Sequence, residues 1–204
     1  MREKMKELRL YGEMRTGTNY LAMLLKRHYE VDIYWFNKHE VFDGTDKDNI
    51  ITIKNPYSWI WSMLNCKVIT KRTLYKHIAT ENQYTDYELQ KVLIERYNTF
   101  YSSFLGIAEN KKEIIPFEKI LVEPEKVIEN IATKFDLKKI KDFENIEREV
   151  RSEERLLPLV FDRKNFYLNH LYLEKLSEET KAVVKSNLDK TLLKQYNYIY
   201  EGEK

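Results

Sequence analysis

The stretch Leu8–Leu25, LRLYGEMRTGTNYLAMLL, constrains the fold more than any other part of the chain. Leu8, Leu10 and Tyr11 make a short apolar strand, and Gly12 and Gly17 bracket a tight turn. Leu21, Leu24, Leu25 and His28 then recur at the spacing of one helix face. A strand that passes through a glycine-bearing turn directly into a helix makes an anion site. The first N–H groups of the helix lack intrahelical partners, and the helix dipole adds partial positive charge at the same end. Arg15 brings a full charge to the turn, and Thr16, Thr18 and Asn19 bring hydrogen-bonding side chains. The expectation is a loop that holds the phosphate end of a nucleotide.

The remainder alternates strands with helices. Val31–Phe36 is β-prone, and residues 43–49 form a polar turn. Asn49–Lys54, with Ile50, Ile51 and Ile53, has the apolar character of a strand buried on both faces, as in parallel sheets covered by helices. Asn55 suits an N-cap and Pro56 the first helical position, before an apolar face of Trp59, Ile60, Met63 and Leu64. Residues 67–82 are basic and weakly patterned, a loop or lid. Tyr84–Ala108 reads as a long helix, with Leu89, Val92, Leu93, Tyr97, Phe100, Phe104 and Leu105 at helical spacing. Lys112–Phe117 reads as a strand. Pro124 opens a helix with Val127, Ile128, Ile131, Ala132 and Phe135 on its apolar face, and Ser177 with Glu178 and Glu179 caps a last helix. No repeat or linker divides the chain. It reads as a single α/β domain over residues 1–204, with a mainly parallel central sheet flanked by helices.

Composition narrows the function. Hydrophobic residues at 43%, with 5 Gly and 4 Pro, exclude a disordered chain. A net charge of +2 makes no broad case for nucleic acid or a membrane surface, so anion binding must be local. The single cysteine, Cys66, permits no internal disulfide and is expected to be a small buried thiol. No 18-residue apolar run marks a membrane span, and MREKMKELRLYGE lacks the apolar middle of a signal peptide. The expectation is a cytoplasmic protein. No His, Cys, Asp or Glu spacing suggests a metal site, and His28 is expected to pack in the core.

Two nucleotide classes compete for the loop. An ATP or GTP site wants G-x-x-x-x-G-K-[ST] and an Asp on a neighbouring strand for Mg²⁺. Gly12 and Gly17 have the right separation, but Thr18 and Asn19 follow and the Lys is missing. The cation sits inside the loop as Arg15, and the adjacent strand ends in Lys54 instead of an acid. This pattern suits a ligand neutralised by side chains without metal.

EMRTGTNYL resembles the 5′-phosphosulfate loop of the sulfotransferases, which use 3′-phosphoadenosine 5′-phosphosulfate (PAPS) and share a P-loop NTPase-like fold. The resemblance implies that Arg15, Thr16, Gly17, Thr18 and Asn19 bind the 5′-phosphate and the sulfuryl group. The family's second motif is a strand-end basic residue, then Asp/Asn-Pro, with a Ser eight positions after the basic residue. Lys54-Asn55-Pro56 and Ser62 match it and imply a 3′-phosphate site. IIPFEKILVEPEKVIENIATKFDL resembles the strand, acidic segment, Pro and helix that follow the family's long helix. Phe161-Asp162-Arg163-Lys164 resembles the basic loop that many members close over the 3′-phosphate, here without its usual glycines.

The resemblance implies sulfuryl transfer from PAPS to a hydroxyl acceptor, a small molecule or a glycan. Arg15 would stabilise the developing charge, with Lys38 sharing that role. His39 is the leading general base, because it follows the second strand and lies at the carboxyl edge of a parallel sheet, and Glu40 is the alternative. Two rivals stand beside this: a divergent P-loop nucleotide kinase or NTPase, and a non-catalytic nucleotide-binding module. The sequence leaves the acceptor and the oligomeric state open.

Overall fold

The computed structural model describes residues 5–34, 37–42, 44, 46–65, 86–146, 148–150, 156–158 and 164–198. Residues 35 and 36 of the expected second strand, Cys66, His77, Arg163 and the expected lid at 67–82 lie outside them.

Four strands, β1 (Lys6–Gly12), β2 (Val31–Tyr34), β3 (Asp48–Ile53) and β4 (Lys112–Pro116), form one sheet in the order β2-β1-β3-β4, and every pairing is parallel. The α/β class with a parallel central sheet flanked by helices is thus the observed architecture. All six residues of β3 are buried, as its apolar run requires of a strand covered on both faces. β2 alternates instead, with Val31 and Ile33 inward and Asp32 and Tyr34 outward, as suits an edge strand.

Helices cover both faces. On one side α1 (Thr18–His28) and α5 (Pro124–Phe135) pack on Leu8, Leu10 and Ile50. On the other, α2 (Pro56–Leu64) and α3 (Asp86–Ser102) pack on Tyr11, Ile51 and Ile53. Alternate residues of β1, β3 and β4 feed the two cores, which is the period of two expected of a pleated strand. The short helix α4 (Phe117–Val122) follows β4 directly.

The local signals of the second junction are realised in detail. Asn55 caps α2 by accepting from the N–H groups of Tyr57 (2.9 Å) and Ser58 (3.3 Å), with Pro56 at the first helical position. His28 is buried, with Nδ1 2.7 Å from the Leu24 carbonyl and Nε2 accepting from the Glu144 N–H at 2.9 Å. Those two bonds hold it in the core, as expected.

Several expectations need correction. The long helix ends at Ser102, not at Ala108. There the Ser103 hydroxyl bonds the Phe100 carbonyl, and the chain turns through i→i−3 bonds at Phe104 and Leu105. Phe104 still reaches the core, but Leu105 is exposed. Leu64, at the end of α2, is exposed as well. The strand expected over Lys112–Phe117 ends at Pro116, and Phe117 opens a helix. Beyond β4 an antiparallel pair, β5 (Arg148–Val150) and β6 (Leu156–Pro158), precedes α6 (Lys164–Leu168) and α7 (Tyr172–Lys175). Ser177 does cap a helix, α8 (Glu178–Asn187), through the Thr180 N–H at 3.1 Å. It is not the last, since Asp189 caps a further helix, α9 (Lys190–Gln195).

Candidate active site

Because the sheet is parallel, β1, β2 and β3 all deliver their carboxyl ends to one edge. Strand order reverses direction about β1, with β2 on one side and β3 on the other. Ligands of open α/β sheets bind at such a switch point. The three segments singled out in the sequence, Glu13–Asn19, Lys38–Glu40 and Lys54–Ser62, follow these three strands.

The β1–α1 loop is tightly built. A Cβ on Gly12 would stand 2.0 Å from Thr52 Oγ1 and 2.6 Å from Thr16 Oγ1, so only glycine fits beneath the loop. Arg15 holds a left-handed backbone, φ 71°, which is strained for a residue with a Cβ. Its side chain is exposed. Gly17, φ 83°, stands at the N-cap of α1 with no side-chain cap bond, and no acidic residue occupies the first turn. The helix therefore begins with its N-terminal charge unopposed by a carboxylate of its own. Thr18 is buried and Asn19 half-buried. Thr16 plays a bracing part: its buried hydroxyl donates to the Glu13 carbonyl at 2.6 Å and lies 2.8 Å from Thr52 Oγ1, tying the loop to β3.

The segment after β2 folds onto this loop. Lys38 donates through Nζ to Asn19 Oδ1, and its carbonyl accepts from the Gly12 N–H at 2.9 Å. His39 Nδ1 lies 2.6 Å from the Gly12 carbonyl. A carbonyl only accepts, so Nδ1 carries the hydrogen and Nε2 is the basic atom of the neutral ring. Glu40, the alternative base, is exposed. His39 is thus the one of the pair that is fixed against the loop.

At the β3–α2 junction, Lys54 Nζ donates to Ser62 Oγ at 2.8 Å, so the spacing of eight brings the two side chains together. Both are buried, under the rings of Phe117 (4.5 Å from Nζ to the ring centre) and Tyr167 (4.0 Å). Lys164 opens α6, one turn before Tyr167.

Sequence patterns missed what holds these parts in place, and most of it comes from α3. Arg96 donates to the His39 carbonyl and stands with Nε 2.9 Å from Glu13 Oε1, close in distance but outside hydrogen-bond geometry. Glu13 is fully buried within the loop, and its other oxygen accepts from the Met14 N–H at 3.2 Å. Tyr97 donates to the Lys54 carbonyl at 2.7 Å and Tyr101 to the Thr52 carbonyl at 2.9 Å. Burial, reinforced by Tyr97 and the Glu13 carboxylate, pushes the Tyr101 phenol well above its ordinary pKa, so it remains a donor. From α2, Trp59 Nε1 donates to the Met14 carbonyl at 3.0 Å. One helix therefore braces the ends of β1, β2 and β3. Tyr97 was legible only as a core position, and the polar Arg96 beside it was the available signal.

No family model matches the chain, and no curated protein matches it. Among solved structures it is similar to a sulfotransferase domain from the curacin biosynthetic pathway, at 12% identity and a TM-score of 0.43. The match covers 83% of this chain and spans 62% of the length of that one. Among the described residues, no helix is long and apolar enough to cross a membrane.

Proposed function

We propose that the protein is a sulfotransferase that moves a sulfuryl group from PAPS to a hydroxyl acceptor, a small molecule or a glycan. The observation that carries this reading is the placement of two cations at adjacent strand ends. Arg15 stands on the β1–α1 loop and Lys54, paired with Ser62, on the β3–α2 junction. A nucleotide with phosphate groups at both ends of its ribose calls for two such sites. A metal-dependent triphosphate site would place an acid where Lys54 stands.

The residues present fit the donor by charge and by donor type. Arg15, Thr18, Asn19 and the first N–H groups of α1 would hold the 5′-phosphosulfate, and Lys54 and Ser62 the 3′-phosphate. The donor supplies an activated sulfuryl group on a good leaving phosphate. Arg15 offers fixed charge and a planar set of N–H donors to oxygen atoms on which negative charge grows. Its strained backbone holds that charge at the turn. Lys38, held on Asn19, adds a second cation beside it. His39, oriented through Nδ1 on the Gly12 carbonyl, accepts the acceptor's hydroxyl proton at Nε2 as the oxygen bonds to sulfur and the bond from sulfur to the 5′-phosphate oxygen breaks, releasing adenosine 3′,5′-bisphosphate.

The test is ligand-induced thermal stabilisation followed by transfer. Adenosine 3′,5′-bisphosphate without magnesium should stabilise the full chain, by about 2.7 kcal/mol at a hundredfold excess over its dissociation constant. Labelled sulfate should then pass from PAPS to at least one member of a panel of sugar, lipid and phenolic acceptors. Stabilisation by Mg-ATP alone would replace this reading with the nucleotide kinase or NTPase one. Bisphosphate binding without transfer to any acceptor would favour a binding module.

A further inference from the structure

The two groups assigned to the 3′-phosphate are already covered. The Tyr167 hydroxyl lies 3.3 Å from Ser62 Oγ, and its ring faces Lys54 Nζ at 4.0 Å. Phe117 also faces the ammonium, with its ring centre 4.5 Å from Nζ and edge-on to the Tyr167 ring. Lys54 has no exposed surface and Ser62 has 3%. A phosphate cannot touch either group while both rings stay in place.

The two rings differ in how they are held. Phe117 begins α4 directly after β4, and its ring packs so near the loop that a Cβ on Gly17 would meet it at 3.0 Å. Tyr167 lies on the five-residue α6, beside Phe166, which is only half-buried and packs at a tilt against Trp61, ring centres 4.5 Å apart. Moving Phe117 would disturb the loop itself, whereas moving Tyr167 disturbs a short peripheral helix.

Resting on the sulfotransferase reading, we propose that Tyr167 is a gate on the Lys54–Ser62 site. It fills the phosphate's place in the nucleotide-free protein and withdraws when the 3′-phosphate arrives. A neutral plug suits this place because burial of an ammonium is costly, and an aromatic face supplies some compensation. A phosphate supplies more, through charge-assisted hydrogen bonds about twice as strong as neutral ones. The exchange therefore runs toward the phosphate. The same helix carries Lys164 one turn from Tyr167, so movement of α6 also moves a cation. A closed gate lowers apparent affinity by the fraction of molecules that are open. Ligands with only a 5′-phosphate do not need it open.

Calorimetry on the full chain tests this with adenosine 3′,5′-bisphosphate and adenosine 5′-monophosphate. Tyr167→Ala should bind the bisphosphate about tenfold tighter than wild type, as expected if about nine molecules in ten are closed. Tyr167→Phe should fall between them, and monophosphate affinity should be the same in all three. In the wild-type chain, bisphosphate should increase nitration of Tyr167 by tetranitromethane, read by peptide mass. This measurement and Tyr167→Phe decide the matter if the alanine variant does not fold. Equal or weaker bisphosphate binding in the variants, or protection of Tyr167 on adding bisphosphate, overturns the gate and leaves the nucleotide reading standing. Absence of bisphosphate binding in wild type and variants alike overturns both.

Discussion

At the end of β1, Arg15 stands exposed on a left-handed backbone. At the end of β3, the neighbouring strand, Lys54 is fully buried under Phe117 and Tyr167. Both are strand-end cations next to a helix N-terminus, yet one is presented and the other is covered. The first loop is held open from behind. Thr16 anchors it to Thr52, Trp59 holds the Met14 carbonyl, and Arg96 stands on Glu13. These contacts use the inner side of the loop and leave its outer side to Arg15. At the second junction the outer side is itself occupied, by Tyr167. The difference teaches that a matched spacing locates an anion site without saying whether the site is ready.

His39→Ala should cut sulfuryl transfer by about 10²–10⁴ while bisphosphate affinity is retained, measured by single-turnover rates and calorimetry. An unchanged rate moves the base to Glu40. Arg96→Met should destabilise the fold by about 3–5 kcal/mol in urea unfolding, because it removes the guanidinium that stands 2.9 Å from the buried Glu13 carboxylate. Adding Glu13→Gln should recover much of that loss. If Arg96→Met alone is harmless, the loop is not held from α3.

Arg15→Gly separates function from stability. Transfer should fall by about 10²–10³, while the melting temperature should not drop, since the change removes an exposed charge and relieves φ 71°. Lys54→Met keeps volume and removes the buried charge. Bisphosphate affinity should weaken by about tenfold to a hundredfold, with monophosphate affinity unchanged. Equal losses for both nucleotides would mean that Lys54 does not serve the 3′-phosphate.

The smallest effect lies at the opposite end of β3. Burial works against the Asp48 carboxylate, but hydrogen bonds and charge from Lys6 and Lys111 outweigh it, and its pKa is lowered. A carboxylate with a depressed folded pKa stabilises the fold above its unfolded pKa. That contribution is lost as pH falls below the ordinary value of 3.8 toward the folded one. Asp48→Asn should cost about 1 kcal/mol or less at neutral pH, and the difference from wild type should vanish in acid.

Much of the fold was legible because its signals are local. The glycine-bracketed turn, the Asn55 cap, Pro56 and the apolar run of β3 each depend on neighbours in the chain. The pairing of Lys54 with Ser62 is also local, since Ser62 lies about two helical turns beyond the strand-to-helix junction. Helix ends were less legible. α3 stops at Ser102 because Ser103 bonds back to its own helix, a choice that apolar periodicity does not record.

The amino-acid sequence by itself determined the strand-turn-helix units and which side chains they carry. Only the tertiary structure decided the strand order that gathers three strand ends at one switch point. It also decided that Arg96, Tyr97 and Tyr101 of α3 brace those ends, and that Tyr167 covers Ser62 from 105 residues away. The physical reason is that periodicity tells which face of an element is buried, and not what lies across from it. Contacts between distant segments depend on packing, where a tyrosine that fills the core and one that covers a cation leave the same mark in the sequence.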